Sequence, residues 1–210
     1  MSIPEAFREA VILPESEARQ WLGKCGQGVK LFAGCRIANP DKVWVGDKSQ
    51  IDEGVFLFPG EGIVIGRYVH LAFGSSVSGG GHCVIGDFAG IGAGVRLITG
   101  TDLLDGAGLT NPTVPEALRS MKRSFVKIGA HALIYTNSVV LPGVTVGMGA
   151  VVGAGSVVHH DLKPWGIYAG SPLVQVGVRP AETILRLAEQ VLAKGKGQRA
   201  KSSAKGRVSV

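Results

Sequence analysis

Charged residues make up only 18% of this 210-residue chain and aromatic residues 6%, while hydrophobic residues reach 45%. A chain with that balance has enough apolar surface to bury and is not a disordered one. The cysteines Cys25, Cys35 and Cys83 are odd in number and widely spaced, with no CxxC pair. They exclude a disulfide framework and a zinc ribbon, and they suit a reducing compartment. No basic-then-apolar leader opens the chain, and no apolar run reaches the roughly 18 residues that cross a bilayer. A cytoplasmic protein without a transmembrane segment is expected. The net charge of +6 looks like a nucleic-acid signal until it is located: Lys194, Lys196, Arg199, Lys201, Lys205 and Arg207 hold all of it, and residues 1–191 sum to zero. Nucleic acid is therefore not the expected partner. Residues 195–210 read as a basic disordered tail, with weak contact to an anionic membrane surface as its alternative role.

Glycine is what the chain has in excess, 32 residues without a collagen period. It sits in a repeat. Aliphatic residues fall every six positions at Ile128, Ile134, Val140, Val146, Val152 and Val158. Upstream the triplets are Val45, Ile51, Leu57; Ile65, Leu71, Val77; and Ile85, Ile91, Leu97, each turn taking twenty residues. Cys25, Leu31 and Ile37 fit one turn earlier, and Gly26, Gly46, Gly66, Gly86, Gly129 and Gly147 each follow the first member of a triplet. Such a period marks a solenoid. Each hexad supplies one short strand with its aliphatic residue inward, glycine allows the corner, and successive coils stack about 4.8 Å apart. The fold expected is all-β, a parallel β-helix over residues 25–178. Residues 1–24 are expected to form an N-terminal helical cap, with a short helix in "PESEARQWL". A long loop, 98–127, is extruded from the third corner, where function tends to reside. Residues 179–194 are expected to hold an amphipathic C-terminal helix capping or flanking the stack, with Ile184, Leu185, Leu187, Ala188, Val191 and Leu192 as its apolar side.

The hexads, the loop "LTNPTVPE" and the ending "GVTVGMGAVVGAGSVVHHDLKPWGIYAGSP" resemble the left-handed parallel β-helix acyltransferases. Within them the chain is similar to the maltose/galactoside O-acetyltransferases and their surface-polysaccharide relatives. The resemblance implies a homotrimer that moves acetyl from acetyl-CoA, as co-substrate, to a sugar or nucleotide-sugar hydroxyl, with no metal required. It implies pantetheine running past Thr136 and Ala154, bonded to backbone groups, with Tyr168–Pro172, Ala169 among them, nearby. His160, Lys163 or Arg179 would meet the CoA phosphates. His159-His160 stands where the family often has Thr-Lys, and Gly170-Ser171-Pro172-Leu173 where it commonly has Gly-Asn-Pro-Ala.

Taking a proton from a hydroxyl needs a general base, for which histidine is the usual residue near neutral pH. The histidine that follows a "T-A-T"-like stretch in the galactoside members is absent; Thr99-Gly100-Thr101-Asp102 stands there. Subtracting one twenty-residue turn puts Asp102 above His82, a candidate His–Asp pair. His70 is the rival base, with Gln50 and Gly90 as its stacking neighbours and no carboxylate directly above or below. A third option is no base at all, since an amino-sugar acceptor is partly uncharged and attacks with little help. Asp52, Glu53, Asp102 and Asp105 are the acids placed by family analogy to hold sugar hydroxyls or an amine of the acceptor. N-acetylation of an amino (nucleotide-)sugar is thus an alternative to O-acetylation. A non-catalytic β-helix scaffold is a further one, and a γ-class carbonic anhydrase is disfavoured because no HxxxxH pair exists.

Overall fold

The structure is a computed structural model that describes the backbone of residues 11–205 and the side chains of 11–195. The chain divides into two units after Val178. The first is a three-sided parallel β-helix. Its first face stacks Lys24–Cys25, Val43–Val45, Gly62–Ile65, His82–Ile85, Phe125–Ile128 and Val144–Val146. Its second stacks Lys30–Leu31, Gln50–Ile51, His70–Leu71, Gly90–Ile91, Leu133–Ile134, Val151–Val152 and Gly166–Ala169, with Val174–Val178 closing it antiparallel. Its third stacks Arg36–Ile37, Phe56–Leu57, Ser76–Ser78, Arg96–Ile98, Val139–Val140 and Val157–Val158.

The register follows the hexads. Cys25, Val45, Ile65, Ile85, Ile128 and Val146 pair in one column, Leu31, Ile51, Leu71, Ile91, Ile134 and Val152 in the next. Nearly all are fully buried, because alternation turns every second side chain inward and three strands per coil enclose it completely. The residues on either side of each aliphatic one face outward, and these carry the chemistry.

The corners divide the work expected of glycine. A Cβ on Gly46 would lie 2.6 Å from the backbone carbon of Gly66, so the glycine after each first-face strand serves close stacking of coils. The left-handed turn falls two residues later; glycine takes it at Gly28 and Gly149, while the coils between carry Lys48 (φ 59°) and the ring-bearing Tyr68 (φ 56°), Phe88 (φ 61°) and His131 (φ 62°). This conformation costs a non-glycine residue about 1–3 kcal/mol. Their rings stack up the corner, Tyr68 on Phe88 at 4.9 Å and Phe88 on His131 at 5.1 Å between centroids, an arrangement that returns about 0.5–1.5 kcal/mol per pair. His131, an outward residue in the hexad pattern, is thus part of a ring column. At the second corner glycine takes the left-handed angle at Gly54, Gly74, Gly94 and Gly155, and Asn137 (φ 59°) takes it in the coil between the last two.

Helix α1 spans Glu15–Trp21, with Ala18 buried. The extruded segment is shorter and more ordered than a 98–127 loop. After Ile98 the chain forms an antiparallel stem, Gly100–Asp102 against Met121–Arg123, and it rejoins the first face at Phe125. In the second unit, helix α2 runs Glu182–Lys205, past the expected boundary at residue 194. Between Gly195 and Lys205 no proline interrupts, and Ala, Lys, Arg and Gln, good helix formers, outnumber the weaker Gly195, Gly197, Ser202 and Ser203. Residues 206–210 of the expected basic tail, and 1–10 of the expected cap, lie outside the described residues. Among the described residues no helix is long and apolar enough to cross a membrane.

Candidate functional site

Position 102 does not stack over position 82. His82 pairs with Gly62 below and Phe125 above, while Asp102 pairs across the stem with Met121. Subtracting twenty holds only while the chain stays in the coil, and it leaves the coil just after Ile98. Asp102 is committed elsewhere: its Oδ1 accepts from Arg119 at 2.8 Å and its Oδ2 from the Asn111 amide at 3.3 Å. The Arg119 guanidinium, with the Asn111 N–H second, holds the Asp102 carboxyl below its usual range. The imidazole of His82, half-buried on the first face, makes no hydrogen bond or ion pair among the described residues.

The carboxylate belongs to the other histidine. His70 faces outward from its strand because Leu71 faces in, and its neighbours in the column are Gln50 and Gly90, as the period requires. The expectation that no carboxylate orients it directly above or below is met only along that column. One column over and one coil down, Asp52 lies on the diagonal, and diagonal neighbours on a sheet face are within reach of long side chains. His70 Nε2 donates to Asp52 Oδ2 at 2.8 Å. The other carboxylate oxygen accepts from Gln50 Nε2 at 2.8 Å, which fixes the acid in turn. A carboxylate only accepts, so the bond fixes the proton on Nε2 and leaves the Nδ1 lone pair unspent. Asp52 is three-quarters buried and His70 half exposed (23% and 50% accessible), an inner carboxylate behind an outer imidazole.

Beside His70 the second face sinks into a cleft. Ala72, Gly90 and Gly92 make its floor, and Leu133 and Tyr135 its far wall. The strands here alternate as elsewhere, but the outward positions next to His70 carry almost no side chain, so the backbone is laid open. The twenty-residue period makes Gly90 a neighbour of His70 without revealing the cleft. The signal was available: outward residues of two adjacent columns, 70/72, 90/92 and 133/135, read large-small, small-small, large-large.

The remaining expected residues distribute over three places. Thr136 and Ala154 are exposed and stack in one column on the second corner, and the Gly155 amide donates to the Thr136 carbonyl at 2.9 Å. No backbone acceptor among the described residues takes up the N–H of Thr136 or of Ala154. Two unspent donors in a column suit the amide carbonyls of a pantetheine arm. Ala169 ends a second-face strand above them. His160 sits instead after the last third-face strand, its ring edge-on to His159 at 4.7 Å, and both are exposed. The exposed Lys163 donates its backbone N–H to the Tyr168 hydroxyl at 3.0 Å. Arg179 opens the second unit. Glu53 is exposed at the second corner, its side chain over Gly34. Asp105 closes a local turn in the extruded segment by accepting from the Ala107 amide at 3.0 Å. Among the described residues no group of three or more His, Cys, Asp or Glu is placed to hold a metal.

A stacked-hexad prism with a His–Asp pair on one face defines a class, and comparison with known proteins gives its family. Residues 125–160 match the family model described as bacterial transferase hexapeptide (six repeats). The chain is 32% identical over 155 residues to dTDP-4-amino-4,6-dideoxy-D-glucose acyltransferase of Escherichia coli, covering 73% of this chain and 81% of that one. It is 30% identical over 131 residues to the galactoside O-acetyltransferase of E. coli K12, covering 61% and 60%. The crystal structure of AntD, an N-acyltransferase from Bacillus cereus in complex with dTDP and 3-hydroxybutyryl-CoA, superposes with a TM-score of 0.83 at 27% identity, over 90% of this chain and all of that one. The chain belongs to the hexapeptide-repeat acyltransferases.

Proposed function

We propose that this protein transfers an acyl group, acetyl in the first instance, from acyl-CoA to a sugar, with His70 as general base and Asp52 as the residue that positions it. The observation that carries the reading is the 2.8 Å bond from His70 Nε2 to Asp52, which leaves Nδ1 as the available base. Acyl-CoA supplies a thioester already activated for acyl transfer. As the acceptor oxygen or nitrogen attacks the thioester carbon, Nδ1 takes its proton, and Asp52 stabilises the imidazolium that forms. Nδ1–H then returns the proton to the departing thiolate, so the imidazole ends neutral. The N–H groups of Thr136 and Ala154 hold the pantetheine arm, and the exposed Lys163 ammonium and His160 ring are the first unit's groups offered to its phosphates.

A hydroxyl acceptor fits the oriented base best, because a hydroxyl must lose its proton to attack while an amine already has a lone pair once neutral. A second reading, N-acylation of a nucleotide-linked amino sugar, is favoured by a different observation. The E. coli relative matched over 81% of its length is a dTDP-4-amino-4,6-dideoxy-D-glucose acyltransferase, and AntD, matched over all of its length, is an N-acyltransferase in complex with dTDP. Either way the protein works as a homotrimer in the cytoplasm, where acyl-CoA is made and its three cysteines stay reduced. Glu53 and Asp105 are exposed acids within this scheme that would meet acceptor hydroxyls. The basic residues from Lys194 onward would give at most weak contact with an anionic membrane.

The test is thiol release from acetyl-CoA against simple glycosides, nucleotide sugars and nucleotide-linked amino sugars. It is run on the wild type, His70→Ala, Asp52→Asn and His82→Ala. Loss in the first two variants with His82→Ala active supports the assignment; loss in His82→Ala alone overturns it. Turnover only with amino sugars selects the second reading.

A further inference from the structure

Resting on the acyl-transfer reading of His70, we infer that the cleft beside it is the acyl-chain site, and that Gly90 sets the length of chain it takes. The cleft is apolar along nearly its whole lining, which is wrong for a sugar, whose hydroxyls need partners, and right for a hydrocarbon tail. It holds about 170 Å³ and begins at the His70 ring. The methyl of an acetyl group uses a small part of that. The space exists because the column running Gln50, His70, Gly90, Leu133 drops its side chain at one position only. A Cβ on Gly90 would meet one atom within 4 Å, Leu133 Cδ2 at 2.9 Å. That neighbour is the end of a flexible side chain, so Gly90 is not required by the packing of the coil. Gly92 is a contrast: its Cβ would strike the Ile134 carbonyl and the Thr136 nitrogen, both backbone, at 2.8 Å. Gly92 is needed for stacking, whereas Gly90 is spare for folding and leaves room. The substrate class this assigns is a short aliphatic acyl-CoA of about three to four carbons, accepted beside acetyl-CoA.

The experiment compares kcat/KM for acetyl-, propionyl- and butyryl-CoA, with one fixed acceptor found in the assay above, on the wild type, Gly90→Ala and Gly90→Ala/Leu133→Ala. The wild type should use butyryl-CoA within about ten-fold of acetyl-CoA. Gly90→Ala should lower the butyryl-to-acetyl ratio by at least ten-fold, the size of step that one misplaced methylene imposes in an apolar pocket. Removing the Leu133 side chain in the double variant should restore the ratio, which a general loss of folding or of base function would not do. A wild type that rejects every chain longer than acetyl overturns the inference while leaving acetyl transfer intact. An unchanged ratio in Gly90→Ala overturns it too. Failure of all acyl-CoA substrates with all acceptors would instead sink the acyl-transfer reading itself.

Discussion

His70 has one ring nitrogen committed and one unspent, and rate should follow that asymmetry. Removing the ring in His70→Ala removes the proposed base, and kcat should fall by roughly 10²–10⁴-fold with KM for acetyl-CoA little changed. Asp52→Asn keeps the shape but can present an N–H to Nε2, favouring the wrong tautomer. A fall of roughly 10–100-fold is expected, read in kcat rather than KM. The opposite result, Asp52→Asn raising KM for the sugar at constant kcat, would make Asp52 a substrate ligand, which is the role that family resemblance implies. Single-residue chemistry was only half legible beforehand. The histidines were visible as candidates and Asp52 as a useful acid, but their pairing lies on a diagonal, eighteen residues apart, and a twenty-residue period finds vertical neighbours only. The Asp102–His82 pairing failed for the complementary reason: it applied the period across the point where the chain leaves the coil.

At the scale of the coil and its excursion, glycines with different duties should respond differently to alanine. Gly46→Ala drives a Cβ to 2.6 Å from the backbone of Gly66, which cannot move without shifting a whole coil. Gly74→Ala meets nothing within 4 Å and pays only for its left-handed φ of 66°. Urea unfolding should show Gly74→Ala destabilised by about 1 kcal/mol and Gly46→Ala by clearly more, about 3 kcal/mol. Comparable midpoints would refute the division of labour between corners. The core columns were readable from the hexads because an enclosed strand must bury every second side chain; the ring column Tyr68–Phe88–His131 was not, because aromatic residues at left-handed corners follow no propensity rule. The excursion from Gly100 to Arg123 is tied by Asp102 to Arg119 and Asn111, contacts present only in the folded state. Since the folded carboxyl titrates below its unfolded value, this tie is fully present above the ordinary aspartate range and is lost as pH falls through the lowered folded value. Protease nicking between residues 103 and 120 should therefore be slow at pH 7 and rise in acid before the coil unfolds. Asp102→Asn should show the faster rate already at pH 7, with the global melting temperature nearly unchanged. If nicking and melting move together, the excursion is no independent element.

For the whole molecule the deciding fact is that the His70 cleft is open along the outer side of a single prism, lined from the second face alone. A cleft open on one side cannot exclude water from a thioester, and in the proposed homotrimer another copy would supply the opposing wall. Sedimentation should give three times the chain mass. Specific activity per chain should drop on dilution below the assembly constant, whereas a self-sufficient monomer would keep it constant. Ligand linkage then separates the function classes that share this fold. A ligand that binds only the folded protein raises its stability by about 2.7 kcal/mol at a hundred times its dissociation constant. CoA should therefore raise the melting temperature by several degrees, with zinc at the same concentration giving none, since the described residues hold no three-ligand cluster. The shift should shrink when Thr136 or Ala154 is replaced by proline, which deletes the unspent N–H from the column. A zinc-dependent shift with no response to CoA would place the chain among metal hydratases, and no response to either would leave a scaffold with an idle dyad.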